Sequence, residues 1–383
     1  MSQDTRRTLI RNGVIIGVLL VLFVLFRSTV DFYTDWLWFA SLGKQQVLQT
    51  RLVAQISLWL ASGLAITLLL VVNWFVIPRR ILGQLSFSVR GRRQLTINAR
   101  VLTIALEVLT ALVTVLMAAE VGGRWMTFLA FHHAVPFGVS DPIFGLDAAF
   151  YVFRLPLYRF LTIWMMALIV VTALGNTLIY VLAGRIRRKA ALVHLAVLGT
   201  VFMALLAVNH QLQGVALLNM SRGAVYGAGY TDVHARLPAL TVLSVTALLC
   251  GGTLVLGSLV RRWQFPAVGA IVWLSVALLS PVYASTVQTY TVQPNELALE
   301  QPYIEHNIRL TRYAYGLARG SGAPLVAESD FQVTGTLTAR QLEENADILD
   351  NVRLWDWKPL RTTYEQLQEI RTYYTFAEGD VDR

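Results

Sequence analysis

The chain has 383 residues, 55% of them hydrophobic and 14% charged, with 32 Lys and Arg, 23 Asp and Glu, a formal net charge of +9 and one cysteine. Soluble domains carry roughly a quarter charged residues, so this composition, with a mean hydropathy of +0.55, excludes an ordinary soluble protein. Disorder is excluded as well, and a single cysteine excludes an internal disulfide framework.

Seven apolar runs follow one another: Leu9–Phe26, Leu52–Ile77, Leu102–Ala119, Phe160–Leu182, Ala191–Val208, Ala239–Val260 and Phe265–Tyr283. Of all charged side chains, only Arg11 and Glu107 fall inside them. Each run is near the ~20 residues with which a helix crosses ~30 Å of hydrocarbon, and a helix satisfies its own backbone there, which an open strand does not. The expected fold is an all-α integral membrane protein with seven transmembrane helices over residues 1–283. A partial extracytoplasmic α+β domain follows over residues 284–383.

At the N-terminus, Arg6, Arg7 and Arg11 ahead of Gly13–Phe26 fit either a signal peptide or an uncleaved first helix. No A-x-A site follows, and the aromatic stretch Asp31–Phe39 suits a headgroup layer, so the first helix is read as retained. With the N-terminus inside, the inner segments carry fifteen Lys and Arg, among them Arg79, Arg80, Arg185, Arg187, Arg188, Arg261 and Arg262, against eight in the longer outer loops. The positive-inside rule then places the N-terminus in the cytoplasm and the C-terminus outside. Residues 1–283 carry a net +15 and residues 284–383 a net −6. The basic excess is thus a topology device beside anionic lipid rather than a nucleic-acid footprint.

The outer loop Glu120–Arg159 is aromatic and broken by Pro136, Gly138, Pro142 and Gly145, which suits an interfacial or re-entrant segment. A second outer loop, Asn209–Pro238, ends in Tyr230-Thr231-Asp232-Val233-His234-Ala235-Arg236. In the tail, Pro302 is read as a first helical position and Gly316 as a stop. Phe331–Leu337 alternates like a strand. Thr338 caps a helix over Ala339–Leu349, and Pro359 opens another to about Ile370.

Tyr33–Phe39, Asp147–Pro156 and Gly227–Pro238, with Pro294-Asn295-Glu296-Leu297, Pro302-Tyr303-Ile304 and Arg353-Leu354-Trp355-Asp356, are long and unusual strings. In them the chain resembles uncharacterised protein family 0182, large bacterial multi-pass membrane proteins. The resemblance runs from near residue 30 to the end. It implies a seven-helix membrane part followed by a large extracytoplasmic region, of which this chain holds the N-terminal portion. It implies no activity.

Two constellations are candidates for function. Glu107 lies seven residues past Arg100, roughly 10 Å into the third apolar run, with Asn176 and Thr253 at similar depth on antiparallel neighbours. A carboxyl there needs protonation or polar partners. It reads either as a proton or cation relay or as an interhelical hydrogen bond or snorkelling side chain. Asp232, His234 and Arg236 alternate, so an extended segment would point them the same way. They read either as a metal site completed by His132, His133 or His210, or as a capping and salt-bridge set. No signature of a nucleophile, nucleotide, metal or other cofactor is present, and Cys250 reads as a packing residue.

Three functional classes follow. The first, favoured because the outer segments are elaborate and the spans poor in acid, is an envelope anchor or interaction protein. Its partners are the lipid bilayer and an envelope protein or polymer on the outer face, with no nucleic acid. The second is a transporter or channel with Glu107 on its path. The third is an envelope enzyme with an outer-face site.

Overall fold

The computed structural model describes residues 22–23, 26–82, 99–220, 226–318, 338–344, 346 and 363. Contacts divide the chain into two units, Met1–Leu325 and Val326–Arg383.

In the first unit, helix α1 (26–41) leads through a tight turn into α2 (Gln45–Val71). The aromatic stretch at residues 31–39 is therefore helical, and Arg51 of α2 pairs with Asp35 across the turn. A π-helical turn at Val72–Val76 carries α2 directly into α3 (Ile77–Leu82). After α4 (Ala99–Gly123) come the short α5 (Trp125–His132) and a loop, then a π turn at Phe150–Arg154 that opens α6 (Leu155–Leu182). Next are α7 (Lys189–Val215), a π turn at Asp232–Arg236 opening α8 (Leu237–Val260), and α9 (Gln264–Val287). A further π turn and a 3-10 turn join α9 to α10 (Glu296–Ala314). The second unit is described at α11 (Ala339–Glu344).

Among the described residues, six helical stretches are long and apolar enough to cross a membrane. They coincide with the second to seventh apolar runs; the first run, Leu9–Phe26, lies almost wholly outside the described residues. Among the described residues the only β pairing is the isolated bridge Ser140–Asp147. The expected strand at Phe331–Leu337 and the helix after Pro359 also fall outside them. The helix expected over Ala339–Leu349 is present over Ala339–Glu344.

The apolar runs become helices because a continuous apolar surface has no polar face to turn to water, and the backbone closes on itself. Their outward side chains stay uncovered, Leu64 at 74% and Leu174 at 65% exposure, as lipid-facing residues do. Pro156 and Pro238 sit in first turns, where a missing N–H costs nothing. Gly184 and Gly316, both at positive φ, end α6 and α10. At each, the following residue's N–H reaches back to the carbonyl five residues earlier, Arg185 to Tyr180 and Leu317 to Arg312. Gly316 is the stop read from the sequence. Pro302 is not a start: α10 begins at Glu296, because the preceding turn is made by Gln293–Asn295, and Pro302 sits inside the helix. There it leaves the Ala298 carbonyl without a helical donor.

Successive helices pack as neighbours: α2 on α4, α6 on α7, α7 on α8 and α8 on α9. Small residues allow close approach at these seams. Thr200 donates to the Gly251 carbonyl at 2.8 Å across the α7–α8 seam, and where α6 meets the first π turn Gly175 faces the Trp74 indole. The largest core cluster joins Ile66, Leu70 and Trp74 to Leu106, Leu168, Ile179, Tyr180 and Ala191.

The basic connectors meet at one end. Arg188 donates to the Ile81 carbonyl at 2.8 Å and Arg261 to the Arg187 carbonyl at 3.0 Å. This gathers the Arg-rich end of α3 with the α6–α7 and α8–α9 links. The first turns of α6 and α8 and the last of α7 and α9 make the opposite end.

Candidate functional site

The opposite end carries a polar assembly built on the π turn at Asp232–Arg236. A helical turn brings residues four apart together, so Arg236 pairs with Asp232 and His234 stacks on Tyr230 with ring centroids 4.2 Å apart. This corrects the extended reading: Asp232 is buried, Arg236 half-buried, and His234 exposed on another side. The period is about four, not two.

Glu300 of α10 closes this assembly from outside. It is only 4% exposed, and both its carboxylate oxygens accept the Tyr230 N–H at 3.1 Å. Gly229 leaves room for it: a Cβ there would stand 2.7 Å from Oε2, and the Glu300 carboxylate would have to shift. Thr231 donates to Gln288, and Asn307 donates to the Tyr226 carbonyl at 2.8 Å. The apolar part of the stretch Gln264–Ala314 is α9, and the charged α10 lies beyond it. Burial pushes the Glu300 carboxyl above its ordinary range, against the lowering pull of the Tyr230 N–H, with the Asp232 and Glu296 charges raising it further.

Between α6, α7, α8 and α9 at the same end lies a cavity of about 640 Å³. Arg159, Arg236, Gln213 and Gln288 form its polar rim, and Leu240, Leu243, Ala277, Pro281 and Ala284 its apolar wall. Arg159 also borders a neighbouring cavity with Glu120 and Arg124.

The loop between α5 and α6 is organised by two aspartates. Asp141 accepts the N–H groups of Ile143, Phe144 and Leu146 and the Tyr151 hydroxyl, at 2.6–2.9 Å. Asp147 accepts the N–H groups of Phe137, Gly138 and Ala149. The Phe137 bond leads in holding the Asp147 carboxyl below its ordinary 3.8. A carboxylate whose folded value is depressed stabilises the fold above its unfolded value, and that stability goes as pH falls through the folded one. Amide protection at Phe137, Gly138 and Ala149, taken relative to the intrinsic exchange rate at each pH, is therefore expected to fall only as pH drops below about 3.8. Asp147→Asn should remove that acid step; an unchanged step would refute the assignment.

Glu107 does not meet Asn176 or Thr253. It is exposed on α4, in a groove of about 590 Å³ shared with Arg79, Thr67 and Thr110. Asn176 is wholly buried on α6, donating to the Thr172 carbonyl at 3.0 Å. Thr253 lies at the α8–α9 seam and donates to the Cys250 carbonyl at 2.7 Å. Equal depth does not set the rotation of a helix about its axis. His132 and His133 meet edge to face, and His210 is buried in α7. Among the described residues no three His, Cys, Asp or Glu side chains converge as a metal site would need. Cys250 is free and buried.

Sequence reasoning missed Glu300, and it missed a polar chain near the basic end. Asn73 of the first π turn donates to the Leu69 carbonyl, and its oxygen meets His194 Nε2 at 3.0 Å. That oxygen only accepts, so Nε2 carries the proton, and Nδ1 accepts the Tyr180 hydroxyl at 2.7 Å. Asn73 and His194 are polar residues within apolar runs, a signal the sequence did offer.

The architecture is thus a bundle of bilayer-length apolar helices with a polar clamp at the end opposite its arginine-rich connectors. The chain belongs to Uncharacterised protein family (UPF0182), which it matches over residues 12–383. It is similar to a UPF0182 protein of Pelotomaculum thermopropionicum, with 37% identity covering 97% of this chain and 42% of the relative. For a UPF0182 protein of Moorella thermoacetica the figures are 35%, 92% and 40%, and for one of Bradyrhizobium diazoefficiens 35%, 97% and 42%. The chain spans about two fifths of the length of these curated relatives. No solved structure matches it significantly.

Proposed function

We propose that this protein is a multi-pass envelope anchor of the bacterial plasma membrane, with its N-terminus inside and C-terminus outside. Its bundle holds an extracytoplasmic region in place for an envelope protein or polymer. The observation that carries this reading is the Glu300 clamp, which ties the helix leaving the bundle to the π turn ahead of α8. The gathering of arginines at the other end supports the orientation. The seventh span at Leu9–Phe26 and a folded α+β tail belong to the same proposal. A transport reading has the groove shared by Glu107 and Arg79 in its favour.

Two experiments test it. In a Cys250→Ser background, a membrane-impermeant maleimide applied to whole cells is expected to label Arg309→Cys and not Arg187→Cys; the reverse pattern overturns the orientation. In a deletion strain, Glu107→Gln is expected to restore the envelope phenotype fully. Glu300→Ala, at equal protein level, is expected to leave most of it unrestored. Loss with Glu107→Gln and full rescue by Glu300→Ala would select transport instead.

A further inference from the structure

We propose that the cavity between α6, α7, α8 and α9 binds an anionic amphiphile. A phosphate or carboxylate headgroup sits between Arg159 and Arg236, and hydrocarbon lies along Leu240, Leu243 and Ala277. The cavity's 640 Å³ falls within the range that holds a small organic ligand. Its lining contains two arginines and no acidic residue.

Arg159 is half-buried and makes no hydrogen bond or ion pair with any described residue. A cation held against an apolar wall without a partner is costly. The site is thus poised for an anion, which a guanidinium binds through two parallel N–H groups. Arg236 is held by Asp232 through one of its nitrogens, and a guanidinium has five N–H donors, so donors remain for a ligand. Asp232 fixes the position of that guanidinium and does not line the cavity.

The shape selects an amphiphile over a free anion. Leu243 lies seven residues beyond Arg236 on α8, about 10 Å deeper, and Ala277 eleven residues before Gln288, about 16 Å deeper. The cavity is polar at the end of the bundle and, apart from Ser280, apolar toward its middle, as a headgroup and chain require.

The test uses the purified chain in nonionic detergent, with bound lipid counted by native mass spectrometry. Dioleoylphosphatidylglycerol is expected to bind, and dioleoylphosphatidylcholine to bind at least tenfold more weakly. Arg159→Gln should lower phosphatidylglycerol binding at least tenfold, with Arg159→Lys recovering part of it. Ala277→Phe, which fills the apolar wall and leaves both arginines in place, should lower it as well. It serves as the second variant if Arg159→Gln fails to fold. Equal phosphatidylglycerol binding by wild type and a folded Arg159→Gln would overturn the site. Displacement of the lipid by millimolar inorganic phosphate, or full binding by Ala277→Phe, would overturn the amphiphile assignment. None of these readouts depends on the anchoring role or on which end faces outward.

Discussion

Replacing Gly175 by valine is expected to destabilise the detergent-solubilised protein by about 3 kcal/mol or more, the cost of forcing a branched side chain into a filled interior. Trp74 is 2% exposed and donates to the Thr172 carbonyl at 3.1 Å. Its ring lies flush on Gly175, where even one Cβ would stand 2.5 Å from Nε1 and 2.6 Å from Cζ2. The ring cannot retreat, because it sits in the cluster with Leu70, Leu106 and Leu168. Thermal unfolding followed by tryptophan fluorescence measures the loss. The cause is isolated by a double-mutant cycle. In a Trp74→Ala background, itself expected to cost about 3–5 kcal/mol, Gly175→Ala should become nearly neutral. An equal cost of Gly175→Ala in both backgrounds would refute the contact.

The second large effect lies in the loop before α6. Asp141 is 8% exposed and serves three backbone N–H groups and the Tyr151 hydroxyl. Alanine leaves four donors without their acceptor, and an unsatisfied buried donor costs about 1–3 kcal/mol. With part of that recovered by water, a net loss of about 3 kcal/mol is expected, or about a hundredfold faster amide exchange at Ile143, Phe144 and Leu146. Asp141→Asn keeps one acceptor oxygen and should fall between. Unchanged protection in Asp141→Ala would show that the loop is held by something else.

The six described spans were legible because lipid demands an apolar surface over a fixed length, and Leu52–Ile77 or Phe265–Tyr283 advertise that surface directly. Their ends were not. Helix α7 continues through Asn209, His210, Gln211 and Gln213 to Val215, since a helix crosses into the polar zone as readily as it crosses hydrocarbon. The Asp232–Arg236 motif was found but given the wrong periodicity: a π turn has no hydrophobic pattern of its own. Glu300 had no local signal, because its partner Tyr230 is 70 residues away. For the same reason depth alone could place Glu107 beside Asn176, while the rotation of α4 and α6 set them on different seams.

The stretch from Gln264 to Ala314 runs to 51 residues, but Asn295 within it, at φ −139° and ψ 45°, is not helical, so α9 alone, 24 residues or about 36 Å at 1.5 Å per residue, has the length of a membrane span. The Glu300–Tyr230 contact lies five residues past that break, so it ties α10 to the turn ahead of α8 independently of the α9–α10 link.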